Sequence, residues 1–450
     1  MKHHVFCFNM VGLSPRLLDK LLEMPCFSSL MKQGIRADME PVFPCLTLPG
    51  QASFSTGTWP NRHGVVANGF YYRDRFEVSF WDQYRSLIQA EPFWERMKRK
   101  KTELRTALLF CQNSLYGQAD YIVTPKPMHT DEGLIQWCYS KPVGFYEDIC
   151  KKLGRPFNLM DYWGPFASEK SSQWIMEAAC YTVRDNLPDV MVTYLPHLDY
   201  PCQKLGPDAP EILEGLKILD GLMGQFIQAL DQRGIRENST LVVFSEYSLS
   251  PVKGAVCLNQ ELRKAGLLDV RVIENREYLD FELSPAFAMV DHQVAHVYVR
   301  DSRNIQKVKQ QLQRIPGVAM VLDKDMQAKF QLDHDRSGEL VVVSDPDQWF
   351  AYYWWEDENR APDFATHIDI HRKPGYDPLE MFMDMETFRV PQDTSLIKGS
   401  HGAPPDREKG THMAVFMVSG RGKEGLSLPA VLPMVEASGY IEKMVMEDHV

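Results

Sequence analysis

The sequence predicts an α/β protein in which a mostly parallel sheet carries helices on both faces and a smaller α+β cap is inserted into this core. Continuous apolar runs, of which STLVVFS at 239–245 is the clearest, are typical of strands buried on both faces. Segments with helical spacing alternate with such runs through the first half of the chain. After about residue 260 the pattern changes to alternating strands. We therefore expect a core at 1–258 and 366–450 and a cap at 259–365.

The core elements follow from local patterns. The start, HHVFCFN followed by VGLSPRLLDKLLE, predicts a strand, a turn and a helix, with Ser14 as the N-cap and Pro15 in the first turn. Further core strands are expected at 34–42, 104–111, 119–124, 187–194, 239–245 and 412–420, helices at 51–58, 171–185 and 209–233, and a hairpin at 68–81. In the cap we expect strands at 287–300, 318–323, 338–343 and 349–355 and a helix at 304–314.

Composition limits the class of protein. The chain has 450 residues, 44% of them hydrophobic and 24% charged, and its net charge of −11 argues against a nucleic-acid polymer as partner. Nine cysteines without a CxxC pair predict reduced thiols inside the cell. No apolar run approaches the roughly 20 residues of a membrane span, and the apolar start is broken by Asn9, so we interpret it as a strand rather than a signal peptide. We expect a cytoplasmic protein that does not engage a membrane; its oligomeric state stays open.

The segment at 41–69, PVFPCLTLPGQASFSTGTWPNRHGVVANG, is rich in proline and glycine and precedes a helix-compatible run. Thr47 lies two residues before Pro49, at a predicted turn between strand and helix. Backbone N–H groups at such a helix start can face an anion. The segment closes with the His63-Gly64 and Asn68-Gly69 turns. This arrangement predicts a hydroxyl presented to an anionic ligand.

The same segment resembles the nucleotide pyrophosphatase/phosphodiesterase branch of the alkaline phosphatase superfamily. The resemblance rests on Thr-x-Pro, a Thr-Gly step, a Pro-x-x-His-Gly turn and a following Asn. It implies that Thr47 is the nucleophile of a phosphoric-ester hydrolase or transferase and that Asn68, 68 − 47 = 21 residues later, holds a phosphate oxygen. It also implies the alkaline phosphatase-like core and covers most of that core, but not the cap.

Polar side chains follow several predicted strands, at the sheet edge where ligands of open α/β folds bind. The resemblance implies that these positions hold two divalent metal ions, and this chain keeps only part of the ligand set. Asp199, Thr47 and His401 match, whereas aspartate is replaced by Asn9, histidine by Gln203, aspartate by Glu246 and histidine by Tyr247. The replacements remove imidazole nitrogen and leave oxygen ligands, which suit Mg²⁺, Mn²⁺ or Ca²⁺ better than Zn²⁺.

Two interpretations of this site remain open. In the first, it is a working site that binds one or two divalent ions, of which Mn²⁺, Mg²⁺, Ca²⁺ and Zn²⁺ stay candidates. In the second, the chain binds a small phosphorylated metabolite without hydrolysing it. Because every substituted position still carries a potential ligand, we favour metal-dependent hydrolysis or transfer of a small phosphoric monoester or diester through Thr47.

Three other sets of residues are candidates for the site. His197 lies next to Asp199 and could orient a ligand or the phosphate. His371 and Arg372 belong to a turn fixed by Pro374-Gly375 and would suit an anionic substrate. In the cap, strand alternation would place His292 and His296 on one face and Asp291 on the other. For His292 and His296, a role as satisfied polar residues at a domain seam is equally compatible with the pattern.

Overall fold

The computed structural model describes residues 2–446. Its α-helices are α1 (Pro15–Leu21), α2 (Pro25–Lys32), α3 (Thr47–Thr56), α4 (Pro60–His63), α5 (Phe93–Lys100), α6 (Phe145–Leu153), α7 (Glu169–Asp185), α8 (Asp199–Leu205), α9 (Ile212–Arg233), α10 (Leu258–Lys264), α11 (Ile305–Leu312), α12 (Lys324–Lys329) and α13 (Met434–Met446).

Its strands are β1 (His4–Met10), β2 (Gly34–Glu40), β3 (Gly69–Tyr72), β4 (Glu77–Phe80), β5 (Thr106–Leu109), β6 (Tyr121–Pro125), β7 (Met128–Thr130), β8 (Gly133–Ile135), β9 (Cys138–Lys141), β10 (Val190–Leu195), β11 (Ser239–Phe244), β12 (Ser250–Pro251), β13 (Gly254–Val256), β14 (Val270–Ile273), β15 (Arg276–Leu279), β16 (Ala286–Asp291), β17 (Val294–Val299), β18 (Val318–Leu322), β19 (Leu340–Ser344), β20 (Gln348–Phe350), β21 (Gly399–Ser400), β22 (Ala414–Gly420) and β23 (Val431–Pro433).

A nine-stranded sheet organises the protein, in the order β23-β2-β22-β11-β1-β10-β5-β6-β9. The strands from β11 to β6 are all parallel, which confirms the predicted parallel core. The edges differ, because β22 runs antiparallel to both of its neighbours and β9 runs antiparallel to β6. The predicted strand at 412–420 therefore exists, and it lies inside the sheet rather than at its edge.

The centre of the sheet is buried on both faces. Every residue of β1, β10 and β11 is buried, as the continuous apolar runs predict. Phe6 and Phe8 pack with helices α1, α2, α7 and α9 on one face, whereas Val5 and Cys7 pack with α3, α5 and α13 on the other. Because Asn9 is in register with Tyr194 of β10 and Phe244 of β11, the three strands end at one edge of the sheet.

The cap is built around a four-stranded antiparallel sheet in the order β16-β17-β19-β18. The prediction of a single strand at 287–300 is wrong, because β16 and β17 form a hairpin. The chain reverses at His292 and Gln293, and His292 has a left-handed backbone with φ of +59°. A non-glycine residue in that conformation gives no turn signal in the sequence. Strand alternation consequently fails to place the side chains of Asp291 and His292.

The aromatic run at 349–355 is also different from its prediction. Only β20 is a strand there, and it pairs in parallel with β13. The remaining aromatic side chains fill the interior, where Trp354 donates a hydrogen bond from Nε1 to the Glu277 carbonyl oxygen at 3.0 Å. They serve as packing residues. The division between core and cap at 258/259 and 365/366 stays a prediction.

The helices of residues 2–446 include none that is both long and apolar enough to cross a bilayer.

One core substitution tests the packing of the sheet. Phe226 of α9 is fully buried and packs edge-on against Phe6 and Phe8, with ring centroids 5.3 and 4.7 Å apart. Phe226→Ala leaves a cavity that rigid strands cannot fill, so we expect the free energy of unfolding to fall by about 3–5 kcal/mol in urea denaturation. Phe388→Ala, at a ring that is 65% exposed, is the matched control and should change it by less than about 0.5 kcal/mol. A small loss at Phe226 would contradict this packing.

Candidate active site

Thr47 opens α3 at the predicted turn. The helix begins at Thr47, four residues before the predicted start, and ends at Gly57, whose φ of +67° is the left-handed conformation of a helix C-cap. The preceding residue, Leu46, supplies no side-chain cap. Instead Asn68 Oδ1 accepts a hydrogen bond from the Leu48 backbone N–H at 2.9 Å. Asn68 therefore caps the helix that carries the proposed nucleophile.

A chain of hydrogen bonds leads from Thr47 along the edge of the sheet. The Thr47 hydroxyl lies 3.1 Å from the Tyr247 phenol oxygen, and the phenol interacts with the Asp199 carboxyl group, which opposes the rise of the Asp199 pKa. Gln203, one helical turn after Asp199 on α8, donates from Nε2 to Asp199 Oδ2 at 2.6 Å. Tyr376 in turn donates to Gln203 Oε1 at 2.9 Å. Four of the predicted site residues thus form one buried polar network.

Glu246 anchors a second branch of this network. Asn9 and Gln51 both donate side-chain N–H groups to Glu246 Oε1. The Glu246 carboxyl group also interacts with the Thr47 hydroxyl, which opposes the rise of the Glu246 pKa. Thr47 therefore lies beside Glu246 and Tyr247, the second and third residues after β11.

His401 joins the site through ring contacts. Its imidazole stacks on the Tyr247 ring with centroids 3.7 Å apart, and its Nδ1 lies 2.7 Å from the Cys45 carbonyl oxygen. His292, at the tip of the β16–β17 hairpin, lies 3.8 Å from His401 and stacks on Tyr376 at 3.8 Å. The β16–β17 hairpin thus places the His292 imidazole beside His401, and the sequence had left the role of His292 open.

Burial sets the protonation of the two strand-end carboxyl groups. It raises the pKa of Asp199 to about 7 and the pKa of Glu246 to about 8, because little solvent stabilises their charged forms. Hydrogen bonds from Gln203 and Asn9 oppose the two shifts, and the charge of Asp199 adds to that of Glu246. Burial also raises the pKa of Tyr247 well above its usual value, so that the phenol keeps its proton at neutral pH.

The side chains of the site can be compared with the ligands that a metal ion requires. Among residues 2–446, no group of three or more His, Cys, Asp or Glu side chains is arranged to hold a metal. The side chains present therefore do not reproduce a pair of imidazole-rich sites. Three buried oxygens in the network, Asn9 Oδ1, Asp199 Oδ1 and Glu246 Oε2, accept no hydrogen bond from any described residue. Unpartnered acceptors beside a hydroxyl fit a single hard cation bound through oxygen.

Three predicted substrate contacts lie outside this network. The His197 imidazole faces α9, with Nε2 3.3 Å from the Gly215 carbonyl oxygen, and burial lowers the pKa of His197 to about 4. His371 is exposed on its turn. Arg372 is exposed as well, and its guanidinium is paired with Asp363 and Asp369. None of these three side chains contacts the Thr47 network: His197 contacts Gly215, Arg372 pairs with two carboxylates, and His371 is exposed.

His296 is a structural residue of the cap. It is fully buried, with Nε2 3.1 Å from the Val66 carbonyl oxygen and Nδ1 accepting from the Gly338 N–H at 3.1 Å. Both ring nitrogens are therefore used: Nε2 contacts the core at Val66, and Nδ1 binds within the cap at Gly338.

Two residues of the network were not predicted from the sequence. Gln51 lies four residues after Thr47, and this i, i+4 spacing on α3 is a signal that could have placed it beside the nucleophile. Tyr376 had no such signal, because its position depends on the tertiary fold of the 366–377 segment.

The sheet, its polar edge and the inserted cap define an alkaline phosphatase-like α/β protein. A family model described as type I phosphodiesterase / nucleotide pyrophosphatase matches residues 5–377. The chain belongs to this family.

Relatives with curated descriptions support the same family. The chain is 23% identical over 240 residues to an uncharacterized pyrophosphatase/phosphodiesterase of Schizosaccharomyces pombe, which covers 50% of this chain and 41% of the relative. It is 21% identical over 331 residues to the human bis(5'-adenosyl)-triphosphatase, covering 72% of this chain and 61% of the relative. The chain thus spans less than two thirds of the length of these relatives.

Solved structures share the fold over nearly the whole chain. Phosphonoacetate hydrolase from Sinorhizobium meliloti, in complex with phosphonoformate, has a TM-score of 0.64 at 17% identity and covers 99% of this chain and 96% of its own. Murine ectonucleotide pyrophosphatase/phosphodiesterase 5, an inactive variant in complex with AMP, has a TM-score of 0.60 at 15% identity over 100% and 96% of the two chains. This likeness confirms the predicted fold class.

The raised pKa values predict a pH dependence of stability without added cations. Asp199 and Glu246 keep a proton in the folded protein at pH values where the unfolded carboxyl groups, with a pKa of about 4, have lost it. Their contribution to stability is therefore complete below about pH 4 and is lost as the pH rises to about 8. In chelator-treated protein, Asp199→Asn and Glu246→Gln should each flatten the fall of the melting temperature between these limits.

Asp301, whose side chain is about one third exposed, provides the matched control, because its pKa is lowered to about 2 by a hydrogen bond from Arg303. Asp301→Asn should leave the slope between pH 4 and pH 8 as in the wild type. Equal slopes in all four proteins would contradict the raised pKa values.

Proposed function

We propose that this protein hydrolyses or transfers small phosphoric esters, with Thr47 Oγ1 as nucleophile and a divalent cation bound in the network. The observation that carries the proposal is the position of the Thr47 hydroxyl: it opens α3 and contacts Tyr247 and Glu246 at the edge where β1, β10 and β11 end. Family membership supports phosphoric-ester chemistry. The start of α3 supports it too, since helix N-termini favour anions.

The charge of the network supports the cation. Within residues 2–446, no Arg or Lys side chain hydrogen-bonds to a network member, whereas two carboxyl groups lie beside Thr47. A phosphate in this position would meet negative or neutral groups alone. Thr47, Asp199, Glu246 and Asn9 offer the oxygens that would hold the ion. When bound, a divalent ion would neutralise a nonbridging phosphoryl oxygen and lower the pKa of a coordinated hydroxyl.

The protein's own groups provide a route for the Thr47 proton. The Thr47 hydroxyl lies 3.1 Å from the Tyr247 phenol oxygen, a contact in which either group can donate, and the phenol interacts with the Asp199 carboxyl group. In the proposed reactive arrangement the hydroxyl donates to the phenol and the phenol donates to the Asp199 carboxylate. As Thr47 Oγ1 forms its bond to phosphorus, its proton moves to Tyr247 and the phenol proton moves to Asp199. The ester P–O bond breaks, and the leaving group departs with the electron pair. Water, or an acceptor hydroxyl in the transferase case, then attacks phosphorus and loses its proton to solvent. The Thr47–phosphorus bond breaks with its electron pair on Oγ1, which regains a proton from Asp199 through Tyr247.

Asn68 is proposed to contact a nonbridging phosphoryl oxygen. Its Oδ1 is engaged with the Leu48 N–H, and its Nδ2 donates one hydrogen bond to Asp291 Oδ1 at 3.1 Å. An amide nitrogen carries two protons, so the second N–H is available to the phosphoryl group.

The relatives bear on the substrate class. One is described as a bis(5'-adenosyl)-triphosphatase, and one structural neighbour is described as a phosphonoacetate hydrolase. We propose a small-molecule substrate with a phosphorus-centred ester for this chain, a monoester or a diester, rather than a nucleic-acid polymer. The nine cysteines are all free thiols, which supports the proposed cytoplasmic location.

A second candidate is binding of a phosphorylated metabolite without hydrolysis. It is favoured by the closure of the site: the Thr47 side chain is only 4% exposed, and the Tyr247 phenol, 1% exposed, lies directly on its hydroxyl. The two candidates differ in whether the Thr47 hydroxyl reacts, and two experiments separate them.

The first experiment removes the hydroxyl. Thr47→Ala should lower kcat on a panel of aryl phosphate monoesters and diesters by about 1,000-fold or more, because the nucleophile is lost, while Thr47→Ser keeps part of it. Thr56→Ala is the control: this hydroxyl lies in the same helix but bonds the Ala52 carbonyl oxygen at 2.7 Å. Full activity of Thr47→Ala would rule out the nucleophile, and an inactive wild type that still binds phosphate would favour the second candidate.

The second experiment measures cation binding by melting temperature. We expect Mg²⁺, Mn²⁺, Ca²⁺ or Zn²⁺ to stabilise chelator-treated protein, by about 2.7 kcal/mol at a concentration 100-fold above Kd. Asn9→Ala and Asp199→Asn should reduce the shift, since they remove unpartnered oxygens. Asp301 pairs with Arg303 and not with a residue of the network. The cation should therefore raise the melting temperature of Asp301→Asn as much as that of the wild type. If no cation raises the melting temperature, the cation-dependent proposal fails.

A further inference from the structure

The tip of the cap hairpin reaches the core segment that carries Asn68. Asp291, the last residue of β16, has no exposed surface. Its Oδ2 accepts a hydrogen bond from the Asn68 backbone N–H at 2.8 Å, and its Oδ1 accepts from Asn68 Nδ2 at 3.1 Å. Both polar groups of Asn68 that can donate are therefore held by one carboxyl group from another part of the chain.

The same carboxyl group fixes the neighbouring imidazole. His292 Nδ1 lies 2.8 Å from Asp291 Oδ1, which assigns the Nδ1–H tautomer and leaves Nε2 as an acceptor. The backbone of this turn is also tied down. The Gln293 N–H donates to the His401 carbonyl oxygen at 2.8 Å, and the Phe350 N–H donates to the His292 carbonyl oxygen at 2.7 Å. The hairpin tip is thus joined to the loop that carries His401.

These contacts have a consequence at the nucleophile. Leu48 is in the first turn of α3, where N–H groups lack intrahelical partners, so the partner of its N–H is Asn68 Oδ1. An Asn68 side chain held at Nδ2 by Asp291 presents its Oδ1 to Leu48. The order of contacts is Asp291 to Asn68 to Leu48, and Leu48 is bonded directly to Thr47 in the chain.

We propose that Asp291 is a positioning residue of the active site: from the cap, it orients Asn68, and through Asn68 it sets the start of α3 and the Thr47 hydroxyl. The inference rests on the proposed function for its effect on catalysis, and on the hydrogen-bond geometry alone for its effect on α3. A carboxyl group that only packed the cap against the core would have no influence at Leu48.

Amide hydrogen exchange tests the inference without any substrate. In Asp291→Asn, the side chain keeps one acceptor oxygen but turns an NH₂ group toward the other Asn68 N–H donor, so Asn68 loses one of its two hydrogen bonds to residue 291. We expect exchange to accelerate about tenfold or more at the Asn68 amide and also at Leu48, which Asp291 does not touch. His296→Ala is the matched control, since His296 also joins the cap to the core but bonds the Val66 carbonyl oxygen. It should leave Leu48 protected. Unchanged exchange at Leu48 in Asp291→Asn would overturn the inference.

A reciprocal variant covers the case in which Asp291→Asn does not fold. Asn68→Asp combined with Asp291→Asn reverses the side-chain hydrogen bond but keeps a carboxylate oxygen for the Leu48 N–H. This double variant should fold and restore slow exchange at Leu48. If it leaves Leu48 unprotected or fails to fold, the inference is wrong.

Kinetics then test the catalytic part. Asp291→Asn should lower kcat about 10- to 100-fold with KM within about twofold of the wild type, because misplacement of the nucleophile affects the transition state more than substrate binding. In an Asn68→Ala background the same change should have almost no further effect, since Asp291 acts through Asn68. Additive effects would overturn the positioning role. An inactive wild type would instead refute the proposed function, and the exchange result would still decide the inference.

Discussion

The architecture of the site depends on two carboxyl groups, Asp199 and Glu246, buried side by side at the edge where the parallel strands end. Water is excluded from both, so each must be neutralised by a proton or by a cation. The surrounding side chains are amides, a hydroxyl and a phenol, which offer hydrogen bonds but no positive charge. The hydrogen-bonded network satisfies one oxygen of each carboxyl group and leaves the other without a partner. The need to neutralise these two carboxyl groups is the main argument for the proposed cation, and no single ligand carries it alone.

Much of the core could be predicted from the sequence, because its signals are local. Runs such as 239–245 are apolar throughout, and only a strand buried on both faces accommodates that pattern in so few residues. Thr47 and Asn68 belong to one contiguous segment, and the structure joins them through the Leu48 amide. Asp199 and His401 are distant in sequence, yet each follows or precedes a strand whose end can be located. The edge of a parallel sheet brings such ends together.

The features that could not be predicted from the sequence depend on tertiary contacts. The turn at His292 requires a left-handed backbone at a residue that is neither glycine nor asparagine, so no turn chemistry marked it. His371 and Arg372 form a convincing basic turn in the sequence, but Asp363 and Asp369 pair with the guanidinium. Charges that a sequence places in one turn can be neutralised by carboxylates of the same loop. The sequence does not show which carboxylate will do so.

The position of β22 has a consequence for the way the chain assembles. This strand separates β2 from β11, yet its residues are synthesised after the whole cap. Until they emerge from the ribosome, the half of the sheet that contains β2 has no partner connecting it to the parallel half. The β16–β17 hairpin is consequently synthesised before the nine-stranded sheet is complete. Its two strands can pair locally at that stage. The nine-stranded sheet is therefore completed only when this late strand pairs with β2 and β11.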